Sequence, residues 1–127
     1  MQIQKTIPLL LLALFLAGCA STSITNLTPR QLLREANGLY PFEVALDTNQ
    51  QTLKHDTVKP YVLVGSRVYP MQSALMLKNR WEALVPIPAT NKFVSYRYKF
   101  DYNYNRFGER GADSRLSPQY QLEITEK

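Results

Sequence analysis

A chain of 127 residues with 15 Lys+Arg against 10 Asp+Glu carries a formal charge of +5. That balance permits anionic partners but lacks the dense basic stripe of a nucleic-acid binder. The single Cys and single His exclude a disulfide within the chain and match no zinc spacing, so a domain here is held by its apolar core.

The N-terminus reads as a targeting segment. Lys5 supplies the positive charge, and Ile7 to Leu16 is an apolar run broken once by Pro8. The run is about half the ~20 apolar residues a spanning helix requires. Leu16-Ala17-Gly18-Cys19 follows, and this order resembles the lipobox of bacterial lipoproteins. The resemblance implies that residues 1–18 are a removed signal peptide and that Cys19 carries acyl chains, palmitate among them. With Ala20 in place of an aspartate, it also implies export to the outer membrane, facing the periplasm or the exterior. Several acyl chains anchor stably where a single chain binds only marginally.

Residues 19–26 then read as the lipidated cysteine and a small polar tether, ending in a short strand at Ile24 to Leu27. Residues 27–127 form the domain, a usual size for one core. Thr28-Pro29-Arg30-Gln31 has the form of a capped helix start, with Leu32, Leu33 and Ala36 toward the core and Gly38 as the stop. So short a helix is marginal alone, and an irregular crossing segment is the alternative. From Tyr40 to Leu46 the pattern has period two, a half-buried strand. Asp47 to Asp56 is a polar loop. Val58 to Val64 and Arg67 to Gln72 flank Gly65-Ser66 as a hairpin, with Pro60 and Pro70 confined to strand ends or an edge. Ala74 to Leu77 fits either a short strand or a helical turn. Trp81, Ala83, Val85 and Ile87 alternate again.

The longest alternation is Lys92 to Asn105. Val94, Tyr96, Tyr98, Phe100, Tyr102 and Tyr104 share one face, while Arg97, Lys99, Asp101 and Asn103 share the other. It predicts the central strand. Asn105 to Arg115 follows as a loop with Gly108 and Gly111, and Pro118 to Ile124 is the last strand. About seven short strands without a long amphipathic helix predict an all-β, antiparallel immunoglobulin-like sandwich. The segments ITNLTP, GLYPFEVAL, VKPYVLVGSRVYPM, RWEALVPIP, FVSYRYKFDY and SPQYQLEI resemble the early-set immunoglobulin-like domains of bacterial envelope lipoproteins. Antibody-type domains carry a cysteine pair across the sheets; this chain does not.

No residues assemble a recognisable reaction centre. Asp101, Asn103 and Asn105 imitate the start of an EF-hand loop, but Arg106 and Ala112 occupy its essential glycine and glutamate positions. His55 has no nucleophile or orienting group in motif context. No cofactor or metal is expected, and the chain reads as non-enzymatic. The binding candidates are Arg106, Arg110 and Arg115 around Phe107, whose guanidinium forks suit phosphate and carboxylate. Tyr102 and Tyr104 join them as aromatic anchors. The expected partners are the membrane through the lipid, and another envelope protein or an anionic glycan or lipid, but no nucleic acid. The alternative function is a carbohydrate-binding module, with Trp81, Tyr102 and Tyr104 exposed on one flat face.

Overall fold

The computed structural model describes residues 22–48, 57–106 and 109–126; Cys19, His55 and Phe107 lie outside them. Ten strands follow in order: β1 (Thr22–Asn26), β2 (Gln31–Leu33), β3 (Leu39–Thr48), β4 (Lys59–Val64), β5 (Arg67–Pro70), β6 (Gln72–Ser73), β7 (Arg80–Pro86), β8 (Phe93–Arg106), β9 (Glu109–Leu116) and β10 (Tyr120–Thr125). One sheet runs β1-β3-β7-β6, the other β2-β10-β8-β4-β5, with β9 also paired to β8. The molecule is an all-β two-sheet sandwich whose strand order resembles that of immunoglobulin-type domains. All pairings are antiparallel except β2 with β10, which is parallel.

Period-two alternation decides which side chains go inside. Tyr40, Phe42, Val44 and Leu46 of β3 are buried, and so are Val94, Tyr96, Tyr98, Phe100 and Tyr102 of β8. Edge-to-face contacts between the layers, Phe42 with Tyr96 at 4.8 Å and Trp81 with Phe100 at 5.4 Å, occupy the interior of a sandwich without a cysteine pair. Gly65 has φ of 60° at the first central position of the β4–β5 turn, where a two-residue hairpin of type II′ requires glycine. Pro60 lies near the start of β4, and Pro70 ends β5 at a sheet edge.

Three sequence expectations are corrected. The helix expected from Thr28 is a crossing followed by β2: Gln31, Leu32 and Leu33 lie opposite Glu123, Ile124 and Thr125. A helix of barely two turns gains little, whereas the parallel ladder satisfies backbone groups and packs Leu32 against the core. Thr28, the expected cap, is engaged elsewhere: its Oγ1 accepts from Glu43 N at 3.0 Å. The loop expected from Asn105 to Arg115 is instead the end of β8 and most of β9, registered from Lys99↔Leu116 to Arg106↔Glu109. Ala74 to Leu77 is neither strand nor helical turn. It belongs to the β6–β7 connection, with Met76 and Asn79 both at φ 61°.

One chain of polar contacts joins the layers. Glu43 N donates to Thr28 Oγ1, which lies 2.7 Å from Tyr98 Oη; the Tyr98 hydroxyl donates to Asn26 Oδ1 at 2.7 Å; and Asn26 Nδ2 donates to Tyr96 Oη at 2.8 Å. Among the described residues no buried side-chain polar atom lacks a partner, as burial demands.

The registers also fix the two ends of the sandwich. Thr22 lies opposite Thr48, Ala45 opposite Arg80 and Lys59 opposite Asp101. With Trp81 near the start of β7 packed on Phe100 of β8, the start of β1, the β6–β7 connection and the β8–β9 ribbon are therefore at one end, called here the entry end. The Gly65-Ser66 turn and Gly38 are at the other.

Phe100→Ala should cost about 3–5 kcal/mol, read from the urea midpoint at unchanged m-value. Tyr98→Phe should cost about 1–3 kcal/mol, because Asn26 and Thr28 are left underbonded. Burial pushes the hydroxyls of both Tyr98 and Tyr96 above their ordinary range. A tyrosine raised in the folded state contributes stability that is whole below its unfolded value of about 10. That stability is lost as pH climbs toward the folded value, since the unfolded chain releases its proton first. Above pH ~10 the native protein should lose stability more steeply than Tyr98→Phe, by up to about 1.4 kcal/mol per pH unit.

Candidate functional site

Strand β8 is long enough to outrun the sandwich. Its 14 residues span roughly 46 Å at about 3.3 Å each, and β4 pairs with it no further than Asp101. At Asn103 the backbone N–H donates to Thr57 Oγ1 at 2.9 Å. Beyond that point, among the described strands, only β9 accompanies β8. The result is a two-stranded ribbon at the entry end.

The ribbon gathers some of the expected site residues and separates others. Tyr102 is 3% exposed, so it is core and not an anchor held out to solvent. Its hydroxyl donates to Asp113 Oδ2 at 3.3 Å and accepts from Arg115 Nε at 3.5 Å. Arg115 is held above its ordinary range, first by that hydrogen bond and more weakly by Asp113, so its charge is fixed. Tyr104 is half-buried, with its ring over Gly111: a Cβ on Gly111 would lie 2.6 Å from Tyr104 Cε2. The ring takes this position because residue 111 has no Cβ; a side chain there would make the ring swing aside.

Along the backbone, Arg106 lies opposite Glu109, Arg110 opposite Asn105 and Arg115 opposite Phe100. Arg115 is five positions after Arg110, roughly 16 Å of strand, with Asp113 between them. Along the backbone Arg106 and Arg110 occupy neighbouring diagonal positions near the tip of the ribbon, and Arg115 is set apart from them. On the outward face, Ser114 Oγ donates to Asp101 Oδ1 at 2.6 Å, and Lys99 Nζ lies 3.6 Å from the same carboxylate. Asp101 and Asn103 sit within a strand, as the failed EF-hand pattern implied. Among the described residues no group of three or more His, Cys, Asp or Glu side chains could hold a metal.

Trp81 does not complete a flat aromatic surface. It is half-buried, packed edge-to-face on Phe100. Sequence reasoning missed two features: the polar chain through Asn26, Thr28 and Tyr98, and the exposure of Leu75, Met76 and Leu77. The first had a faint signal in two hydrogen-bonding side chains flanking Leu27. The second had none, since an apolar triplet normally signals burial.

No family model matches the chain, and no curated protein does. Among solved structures, murine CRIg is similar over 83% of this chain and 98% of that one, at 10% identity and a TM-score of 0.42. Among the described residues no helix is long and apolar enough to cross a membrane.

Gly111→Ala should displace the Tyr104 ring and abolish the ring-current shift of the residue 111 α-protons in NMR spectra. Its stability cost should stay below that of Phe100→Ala, because a half-exposed ring can swing aside whereas a buried cavity cannot refill.

Proposed function

We propose that this chain is a non-catalytic binding or assembly module of a bacterial envelope, an immunoglobulin-like sandwich anchored in the outer membrane by acyl chains on Cys19. It engages another envelope protein through the β8–β9 ribbon. The observation that carries this reading is the ribbon itself. Its outer strand, β9, has no further strand beside it among the described residues, and a free strand edge can receive an extended peptide through main-chain hydrogen bonds. Part of that edge is already capped: Ser114 N donates to Asp113 Oδ1 at 2.8 Å. Charged and polar groups line the ribbon, which suits a reversible, oriented contact more than a permanent apolar one.

The anchoring half of the proposal rests on the lipobox resemblance, and the fold is compatible with it. Strand β1 begins at Thr22, three residues after Cys19, so the domain would ride close to the bilayer. The carbohydrate alternative needs exposed aromatic faces for sugar stacking. With Tyr102 buried and Trp81 packed on Phe100, the described surface favours a protein partner.

Affinity capture with the acylated protein should recover a specific envelope protein. The combined change Arg106→Glu, Arg110→Glu and Arg115→Glu should weaken its binding about tenfold at low salt. The difference should shrink near 1 M salt, where the screening length falls to about 3 Å. Unchanged affinity rejects the ribbon as the interface. Saturable binding to a polysaccharide, with no envelope protein recovered, reverses the choice of partner.

A further inference from the structure

The entry end carries a second feature that the ribbon does not use. In the β6–β7 connection Leu75 is 86% exposed, Met76 96% and Leu77 47%, three consecutive large apolar side chains turned to solvent. Isolated apolar residues on a surface are ordinary, whereas a contiguous set marks an interaction site. Backbone geometry holds the set out. Met76 and Asn79 both have φ of 61°, a left-handed conformation that side-chain-bearing residues adopt rarely and that tends to persist where function requires it. The connection is closed by Leu77 N to Ala74 O at 3.2 Å and tied to the sheet by Leu46 N to Asn79 O at 3.0 Å. Lys78 follows the apolar triplet, and the half-exposed Arg80 opens β7.

Its position selects the occupant. Strands β1, β3 and β7 are successive neighbours, so Thr25 lies roughly 10 Å across the sheet from Arg80, at two strand spacings, and Thr22 is three residues further toward the same end. Cys19 is three residues before Thr22, a reach of about 10 Å. We infer that Leu75, Met76 and Leu77 dip into the bilayer interface beside the acylated N-terminus, with Lys78 at the headgroup level, so that the domain stands on the membrane at two points. This rests on the lipid-anchor reading above and adds an orientation to it. Apolar side chains flanked by a cation are the composition that interfacial binding favours, especially on anionic lipid.

The test uses the full acylated chain on vesicles of phosphatidylethanolamine and phosphatidylglycerol. A polarity-sensitive fluorophore is attached at Met76→Cys or, as a control at the opposite end, at Ser66→Cys. The expected result is blue-shifted emission at position 76, quenched by headgroup-proximal spin-labelled lipid, with solvent-like emission at position 66. Changing Leu75, Met76 and Leu77 together to Asp should speed transfer between vesicles at least about tenfold while leaving the circular dichroism spectrum intact. Solvent-like emission at position 76 on protein that floats with the vesicles overturns the inference and leaves the anchor standing. Absence of acyl mass on Cys19, with no flotation, overturns both.

Discussion

The hydroxyl of Tyr98 is where the two sheets are joined by something other than apolar contact. It lies 2.7 Å from both Thr28 Oγ1 and Asn26 Oδ1 and 3.0 Å from the Glu43 carbonyl. These partners belong to β1, to the crossing that follows it, and to β3. A buried polar group without partners is costly, and one whose partners come from three segments holds all three in a single arrangement. The first strand is otherwise weakly held, being short and at a sheet edge. The polar chain sets where β1 ends and where the chain crosses to the second sheet, and β2 then pairs with β10. A sandwich without a cysteine pair thereby gains a directional link between its layers.

Strand β8 runs well beyond that link. Its lower half is fixed by β10 on one side and β4 on the other, with Tyr96 and Tyr98 against Phe42 and the polar chain. The upper half needs only β9 to satisfy its ladder. The alternation that fills the core continues outward without change of phase. As the sheet opposite ends, the same inward row passes from core residues at Phe100 and Tyr102 to Tyr104 over Gly111. The β8–β9 ribbon is thus an extension of the core strand, with its orientation set by the interior.

The sequence made some of this readable and not the rest, for identifiable reasons. Period two is a local signal, so β3, β4, β7, β8 and β10 could be read directly from Tyr40 to Leu46, Val58 to Val64, Trp81 to Ile87, Val94 to Tyr104 and Pro118 to Ile124. Strand β9 could not. Its residues, Glu109 to Leu116, include Gly111 and little that is apolar, and they are extended because β8 provides a template. The start of β2 carries good helix-capping residues, yet tertiary pairing overrode a weak local preference. Arginines close in sequence look like one cluster while the segment is taken to be a loop; as a strand it sets Arg115 apart from Arg110.

The exposed triplet at Leu75 to Leu77 inverts the usual inference from hydrophobicity. In a strand, alternate apolar residues face one interior, but three in a row cannot all do so, and a connection with two left-handed residues removes the ladder that would hold even one inside. What stays is an apolar tip at the end where the chain enters. The opposite end has the glycine turn at Gly65, and Phe93 beside the Lys92 ammonium, with no comparable run of exposed apolar neighbours among the described residues. Under the proposed anchoring at Cys19 the domain would be confined near a surface, and each additional apolar contact would act at high effective concentration. Modest burial at the tip would then be enough to choose one orientation over free rotation about the anchor. The β8–β9 ribbon rises from the same end, so on the proposed reading a partner reached through β9 would itself lie close to the membrane.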